Sequence, residues 1–268
     1  MISTGFPLSQ YLERIGLSRP PDPDEGGLHQ LHSAQSFSIP FENLDIHLGR
    51  PISLKPEDLT AKMLQRRRGG YCFELNGIFR MALAELGFAV RPQMARVLYG
   101  RGAPGARTHE VLIVTASGRK WLADAGFGGP GLRLPIPVVS GEVQVQYGER
   151  YRLRQDPGLG MVLQKGVQNL FVDLYAFNEN ELTLEMDIEA GNHFTSTWPD
   201  SIFRLQRMCS LARPWGRITL SDMELTIHRE GESISRTLPP GREYLAAIGE
   251  HFGIEIDARY EDLAPLKK

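Results

Sequence analysis

The distribution of apolar and polar positions divides the chain into three parts. In the first third, apolar residues recur at helical spacing in PLSQYLERIGL, LHQLHSAQSF and KPEDLTAKMLQRRR. The strongest helical pattern places the following residues on one face: Leu75, Ile78, Phe79, Ala82, Leu83 and Leu86. Gly87 follows directly and predicts the helix end. The first third is therefore predicted to be helical, with an amphipathic helix that begins near Cys72.

The middle third changes to short β-rich runs separated by Gly, Pro and Asp. These runs are AVRPQMARVLYG, THEVLIVTAS, RKWLADAGF, VQVQYGERYRLRQ, GMVLQKG and FVDLYAF. Several strands at such close spacing predict an antiparallel barrel or a sandwich. From about Gly191 the pattern is mixed: GRITLSDMELTIHREGESISRTL predicts strands, and REYLAAIGEHFGI predicts a closing helix.

The bulk composition is that of an ordinary globular protein. The chain has 268 residues, of which 41% are hydrophobic and 23% charged, with a net charge of −2. This charge gives no basic field for nucleic acid or anionic membrane. The first residues do not resemble a signal peptide, and no stretch approaches the roughly 18 apolar residues of a membrane helix. We therefore expect a cytoplasmic protein with no nucleic-acid or membrane partner.

Cysteine is rare in this chain. Cys72 and Cys209 cannot form a disulfide framework, which fits a reducing compartment. Without C-x-x-C spacing they also predict no structural zinc site. Cys72 follows Gly69 and Gly70 and opens the predicted helix, whose N-terminus favours a thiolate. A nucleophile and a buried, inert cysteine are equally compatible with this position alone.

A cysteine nucleophile needs a base, and the base needs an orienting partner. His109 lies at the start of THEVLIV, and Asp124 lies in the next run, RKWLADAGF. Read as a hairpin with Ala116 and Ser117 in its turn, the two runs place His109 opposite Asp124. A register shift of two residues would leave them diagonal neighbours. A surface His–Asp pair is the alternative interpretation.

The glycine-rich segment GFGGPG, residues 126–131, formally matches a dinucleotide-binding pattern. That pattern requires a helix directly afterwards, whereas LRLPIPVV contains Pro135 and Pro137. We therefore reject a dinucleotide site. A loop that admits phosphates or a pantetheine arm and a plain loop both remain open.

Charged residues in and near the apolar segment IPFENLD need partners if they are buried. We predict that Arg68 binds Glu42, and also Asp45, and so ties this segment to the cysteine helix. A solvated loop is the alternative.

Together these segments resemble the arylamine N-acetyltransferase family. RRGGYCFELNG resembles the active-site signature of that family, and SIPFENLDIH resembles its N-terminal signature. THEVLIV and WLADAGFG resemble the segments that carry its histidine and aspartate, and TSTWPDSIF resembles a further family segment. Five separated motifs agree in order over about residues 28–203.

The resemblance implies an α+β fold of three parts with a transglutaminase-like cysteine enzyme core. These are a helical bundle (1–88) that carries the cysteine, an antiparallel β-barrel (89–190) that carries the histidine and aspartate, and an α/β lid (191–268). It also implies a Cys-His-Asp triad formed by Cys72, His109 and Asp124.

The implied reaction is ping-pong acetyl transfer from acetyl-coenzyme A (acetyl-CoA) to an arylamine or arylhydrazine, without a metal. Candidate walls for the aromatic acceptor are Phe41, Phe127 and Phe203, and candidate CoA contacts are Thr108, Gly126, Phe127 and Gly128. Three alternatives remain open: an amide synthase of the same family, a cysteine hydrolase or transglutaminase-like enzyme, and a non-enzymatic binding module.

Overall fold

A computed structural model describes residues 5–266, which form eight α-helices and thirteen β-strands. The helices are α1 (Leu8–Arg14), α2 (Glu25–Ser38), α3 (Leu44–His47), α4 (Pro56–Thr60), α5 (Cys72–Glu85), α6 (Glu185–Thr197), α7 (Ile202–Leu205) and α8 (Arg242–Phe252). A π-helical turn, Ala61–Gln65, continues α4.

The strands fall into a large group in the middle of the chain and a smaller group near its end. They are β1 (Phe41–Glu42), β2 (Ala89–Val97), β3 (Arg107–Ala116), β4 (Arg119–Ala123), β5 (Ile136–Pro137), β6 (Gln144–Gln146), β7 (Glu149–Asp156), β8 (Gly160–Val167), β9 (Leu170–Phe177), β10 (Met208–Arg213), β11 (Gly216–Ser221), β12 (Glu224–Arg229) and β13 (Glu232–Thr237).

The predicted amphipathic helix is confirmed, and Cys72 is its first residue. Tyr71 precedes it with extended backbone, and its N–H donates to Oε2 of Glu74 at 3.0 Å, which closes the first turn. The apolar face is buried in a core shared with α1 and α2. The helix ends just before Gly87, whose φ of 88° suits a residue without a side chain. Packing and capping thus fix Cys72 at a defined helix start.

Eight antiparallel strands form a barrel-like sheet in the order β5-β4-β3-β2-β9-β8-β7-β6. Side chains of β3 alternate between its two faces. Leu112 and Val114 face the helical core, whereas Val111 and Ile113 face a second core inside the sheet. Strand β3 therefore separates α5 from the sheet interior.

The predicted register of the β3–β4 hairpin is wrong by two residues. Ala116 pairs with Arg119, so the turn consists of Ser117 and Gly118. Both turn residues have positive φ, 49° and 74°, as a tight two-residue hairpin turn requires, and glycine adopts this conformation more readily than alanine. His109 therefore does not lie directly opposite Asp124.

The C-terminal part contains the second sheet, in the order β1-β10-β11-β12-β13, with α8 packed against it. Its first strand comes from the N-terminal third, where Glu42 pairs with Cys209. The predicted boundary between residues 190 and 191 falls inside α6, which packs against β3. The predicted strands and closing helix of the last third are confirmed.

Within residues 5–266, no helix is long and apolar enough to cross a membrane. The same residues contain no group of three or more His, Cys, Asp or Glu side chains arranged to hold a metal ion.

Candidate active site

Cys72 lies where the start of α5 meets β3. Its side chain is buried, and its Sγ donates to the carbonyl oxygen of Thr108 at 3.9 Å. Burial raises the pKa of the Cys72 thiol, and the negative charges of Asp124 and Glu110 raise it further. Backbone N–H groups of Phe73 and Glu110 lower this pKa. Burial therefore favours the thiol, and the two backbone donors are available to stabilise a negative sulfur.

His109 and Asp124 form a buried pair, with Nε2 of the imidazole 2.8 Å from Oδ2 of the carboxylate. Asp124 lies one residue beyond β4, so the side chains of His109 and Asp124 meet diagonally, beyond the last paired residues of β3 and β4. Burial alone would raise the pKa of Asp124. The charge of His109 and hydrogen bonds from His109, Asn76 and Gly126 outweigh burial and lower it. Asp124 is therefore a carboxylate that can orient His109 and stabilise its imidazolium form.

Two residues that the sequence did not single out hold Asp124 in place. Nδ2 of Asn76 donates to Oδ1 of Asp124 at 2.9 Å, and Oδ1 of Asn76 accepts from the N–H of Ala125 at 3.1 Å. Nε2 of His32 accepts from the N–H of Asp124 at 3.1 Å, and burial lowers the pKa of His32 to about 4. Neutral His32 is thus a positioning residue. The sequence signal for Asn76 was its place one helical turn after Cys72.

Two aromatic rings surround His109. Phe127 packs edge-on against the imidazole with ring centroids 5.1 Å apart, and Tyr175 lies 5.0 Å from it. Burial and the charge of Asp124 raise the pKa of Tyr175, so its hydroxyl stays neutral. Tyr175 comes from β9 and had no sequence signal beyond an apolar strand. The two rings shield the His–Asp pair from water.

The three phenylalanines predicted as acceptor walls lie close to one another. Phe41 and Phe127 line a small cavity of about 30 Å³ together with Asp124 and Gly128. Phe203 contacts Phe41, with ring centroids 6.0 Å apart, and contacts Tyr71 at 5.6 Å. The cavity holds no more than a water molecule, so an aryl group needs movement of these rings.

The predicted CoA contacts occupy different environments. A Cβ atom at Gly126 would lie 2.8 Å from Nδ2 of Asn76, so this glycine allows the loop to pack against α5. At Gly128, with φ of 72°, a Cβ atom would lie 2.9 Å from the Phe41 ring. Thr108 presents its carbonyl oxygen to Cys72. Gly126 is buried, whereas Thr108, Phe127 and Gly128 are partly exposed.

A much larger cleft, about 960 Å³, begins at Gly129 and Pro130, directly after these residues. Its cationic lining consists of Arg133, Lys165, Arg217 and Arg229. His228 also lines the cleft, and burial lowers its pKa. This cleft has no signal in the sequence, because its residues come from separate strands of both sheets.

A single carboxylate organises three cations in the basic cleft. Glu149 contacts Arg133 at 2.9 Å, and Lys165 and Arg217 at 2.5 Å each. Burial would raise the pKa of Glu149, but the cations lower it to about 2. Burial and Arg217 lower the pKa of Lys165 to about 8. The cluster retains excess positive charge for an anionic ligand.

The predicted charge pairing of Arg68 is confirmed. Its Nη2 lies 2.8 Å from Oε1 of Glu42 and 3.2 Å from Oδ1 of Asp45. Lys62 extends the network to Asp45 at 2.8 Å and to Glu74 at 2.7 Å. Since Glu74 also caps α5, the buried network connects the IPFENLD segment to the helix that carries the cysteine.

Comparison with known proteins is consistent with this geometry. The N-acetyltransferase family model matches residues 26–260. The arylamine N-acetyltransferase of Mycolicibacterium smegmatis is 40% identical over 255 residues, which cover 93% of this chain and 92% of that protein.

Two solved structures are similar over nearly the whole chain. The Salmonella typhimurium arylamine N-acetyltransferase structure has a TM-score of 0.91 and 32% identity, and the match covers 97% of this chain and 96% of that one. The Mycobacterium marinum arylamine N-acetyltransferase structure in complex with CoA has a TM-score of 0.86 and 38% identity, with 92% of each chain covered. This chain therefore belongs to the arylamine N-acetyltransferase family.

Proposed function

We propose that this protein transfers the acetyl group of acetyl-CoA to the nitrogen of an arylamine or arylhydrazine through an acetyl-cysteine intermediate. The observation that carries the proposal is the site itself. Cys72 lies at a helix N-terminus beside Thr108, and the next residue, His109, is hydrogen-bonded to a buried carboxylate. A nucleophile, a base and an orienting group are the three parts that acyl transfer requires.

In the first half-reaction, Cys72 attacks the thioester carbonyl and its proton passes to His109. Asp124 stabilises the imidazolium, which then returns the proton to the departing CoA sulfur. The first turn of α5 presents backbone N–H groups, including that of Cys72, toward a developing oxyanion. Losing one such donor typically costs ~3 kcal/mol.

In the second half-reaction, the amine nitrogen attacks the acetyl carbon and His109 accepts its proton. The bond between that carbon and the Cys72 sulfur then breaks, and the sulfur leaves as the free cysteine, which regains the proton from His109. Phe41, Phe127 and Phe203 are the proposed walls for the aromatic acceptor. Their proximity to Asp124 and to one another supports this role. The same site around Cys72 and His109 thus serves both half-reactions, as a ping-pong route requires.

The basic cleft is the proposed site for the phosphate groups of CoA. Arg217 and Arg133 are suited to phosphate because a guanidinium presents several donors in one plane. The cleft reaches Gly129, so the pantetheine arm would pass Gly128, Phe127 and Thr108 to reach Cys72. Gly126 would contribute by keeping the loop close to α5. The two free cysteines, both buried, fit the proposed cytoplasmic location.

A panel of aromatic amines and hydrazines with acetyl-CoA tests the proposed function. We expect thiol release to depend on the acceptor and to equal the acetylated amine formed. Equal thiol release without any amine would indicate a thioester hydrolase and contradict the proposal. Amide formation on a peptide substrate alone would indicate a transglutaminase-like enzyme.

A further inference from the structure

Glu110 is a buried acidic residue that the proposed reaction does not use. It follows His109 on β3, and because side chains alternate along a strand, its carboxyl group points to the opposite face of the sheet. That face packs against α5 and α6, and Met94 of β2 is its cross-strand partner. Glu110 is completely buried, and neither carboxyl oxygen has a hydrogen-bond partner among residues 5–266.

Arg80, the cation that faces Glu110, is hydrogen-bonded to a different carboxylate. Nε of Arg80, on α5, lies 4.0 Å from Oε1 of Glu110. The terminal nitrogens of Arg80 instead donate to the exposed Glu185 of α6, at 2.5 and 2.9 Å. Burial raises the pKa of Glu110 to about 8; Arg80 lowers it, whereas Glu185 and Asp124 raise it.

Glu110 is coupled to the start of α5 in two opposite ways. Its backbone N–H lowers the pKa of Cys72, whereas a negative charge on its side chain raises that pKa. The same charge contributes to the raised pKa of Tyr71. Only the side-chain effect depends on pH, because the backbone donor is permanent.

We propose that Glu110 is a positioning residue that supports the acetylation of Cys72 only as a neutral carboxylic acid, and that its ionisation sets the alkaline limit of that step. The proposal rests on the proposed role of Cys72 as the nucleophile. Negative charge develops on the sulfur and the oxyanion during acyl transfer, so a negative charge on Glu110, in addition to that of Asp124, opposes both. Glu110 acts through the electrostatic field at Cys72 and contributes no atom to the reaction.

The test is the burst of 4-nitrophenolate from 4-nitrophenyl acetate, followed against pH with the enzyme-free rate subtracted. In this step the Cys72 sulfur bonds to the acetyl carbon, the ester C–O bond breaks, and 4-nitrophenolate leaves. We expect the wild-type burst rate to fall from about pH 7 to about pH 9.5, on either side of the Glu110 pKa of about 8. The expected decrease is about tenfold, equivalent to one pKa unit of interaction.

The burst rate of Glu110→Gln should stay constant from about pH 7 to about pH 9.5, and below this range it should equal the wild-type rate. Glu110→Met, which suits the apolar neighbour Met94, provides a second variant without an ionisable group. The matched control is Glu142→Gln at an exposed position, which should show the wild-type decrease.

The neighbours of Glu110 provide a test that a purely structural role would not pass. Arg80→Met should move the alkaline limit to higher pH, because Arg80 lowers the pKa of Glu110. Glu185→Gln should move it to lower pH, because Glu185 raises that pKa.

Two results would overturn the proposal for Glu110. One is a wild-type alkaline decrease in both Glu110 variants, and the other is a shift of the limit in the same direction by Arg80→Met and Glu185→Gln. Absence of any burst in the wild-type protein would instead contradict the role of Cys72, and the proposal for Glu110 would fail with it.

Discussion

Nε2 of His109 lies 2.8 Å from Oδ2 of Asp124, although Asp124 stands beyond the last paired residue of its strand. The other carboxylate oxygen, Oδ1, accepts from Asn76 and from the N–H of Gly126 at 2.9 Å each. Both oxygens are therefore fixed. The orientation of His109 depends on a helix and a loop as well as on the hairpin.

Asp124→Asn tests whether Asp124 acts on Cys72 through His109. Directly, the charge of Asp124 raises the pKa of Cys72, so its removal would make the cysteine react at lower pH. Through His109, the same charge stabilises an imidazolium that in turn stabilises a thiolate. We expect the second effect to dominate, with wild-type Cys72 reacting fast near pH 6 and the Asn variant requiring higher pH.

The measurement is the rate of iodoacetamide inactivation against pH, with the modified residue identified by mass spectrometry. If the inactivation of the Asn variant begins at a lower pH than that of the wild type, the direct effect of the Asp124 charge dominates. The same transition in both proteins, near the ~8.5 of a free cysteine, would show that no thiolate–imidazolium pair forms.

Arg68→Lys should destabilise the protein, because lysine keeps the charge but cannot reach both Glu42 and Asp45 in the geometry of the guanidinium. Leaving a buried hydrogen-bonding group unsatisfied costs about 1–3 kcal/mol, and more where the group is charged. Thermal unfolding measures this loss, and Arg19→Lys at an exposed position is the matched control. Equal melting temperatures for the two variants would refute a structural role for the buried network.

The hydrophobic pattern was sufficient to predict α5, because a single helix face and a terminal glycine specify it locally. The register of the β3–β4 hairpin was not, since two adjacent turns were possible and only the positive φ of Ser117 and Gly118 decides between them. The burial of Glu110 was also not predicted, because this charged residue stands in a strand-like run of apolar residues. The basic cleft joins residues as distant as Arg133 and Arg217, which no local pattern relates.

Arg217→Gln should weaken the binding of acetyl-CoA while leaving the reaction with a small ester intact. A hydrogen bond to a charged group contributes about 1.5–3 kcal/mol, so KM for acetyl-CoA should rise roughly tenfold or more. The burst with 4-nitrophenyl acetate, which has no phosphate, should be unchanged, and Arg19→Gln is the control. An unchanged KM for acetyl-CoA would exclude Arg217 from the binding of its phosphate groups.

Glu110→Gln should also change how stability depends on pH. Folding raises the pKa of Glu110 from the reference value of 4.5 to about 8, so the folded state holds an extra proton between these values. Wild-type stability therefore loses about 1.4 kcal/mol for each pH unit in this window, relative to a protein without the group. The melting temperature of Glu110→Gln minus that of the control, Glu142→Gln, should increase from about pH 4.5 to about pH 8. Above pH 8 this difference should stay constant. A difference that does not vary with pH would mean that Glu110 is already ionised in the folded protein.

The proposed reaction requires that Cys72 carry the acetyl group between donor and acceptor. The most direct measurement is intact-protein and peptide mass spectrometry after incubation with acetyl-CoA in the absence of an amine. We expect one acetyl group on Cys72, its removal when an arylamine or arylhydrazine is added, and no such adduct in Cys72→Ser. Cys209→Ser should behave as the wild type, because Cys209 is buried in the core of the second sheet and has no hydrogen bond to the His109–Asp124 pair. Acetylated amine formed by the Cys72→Ser protein at a near-native rate, or an adduct at another residue that the amine discharges, would contradict the account.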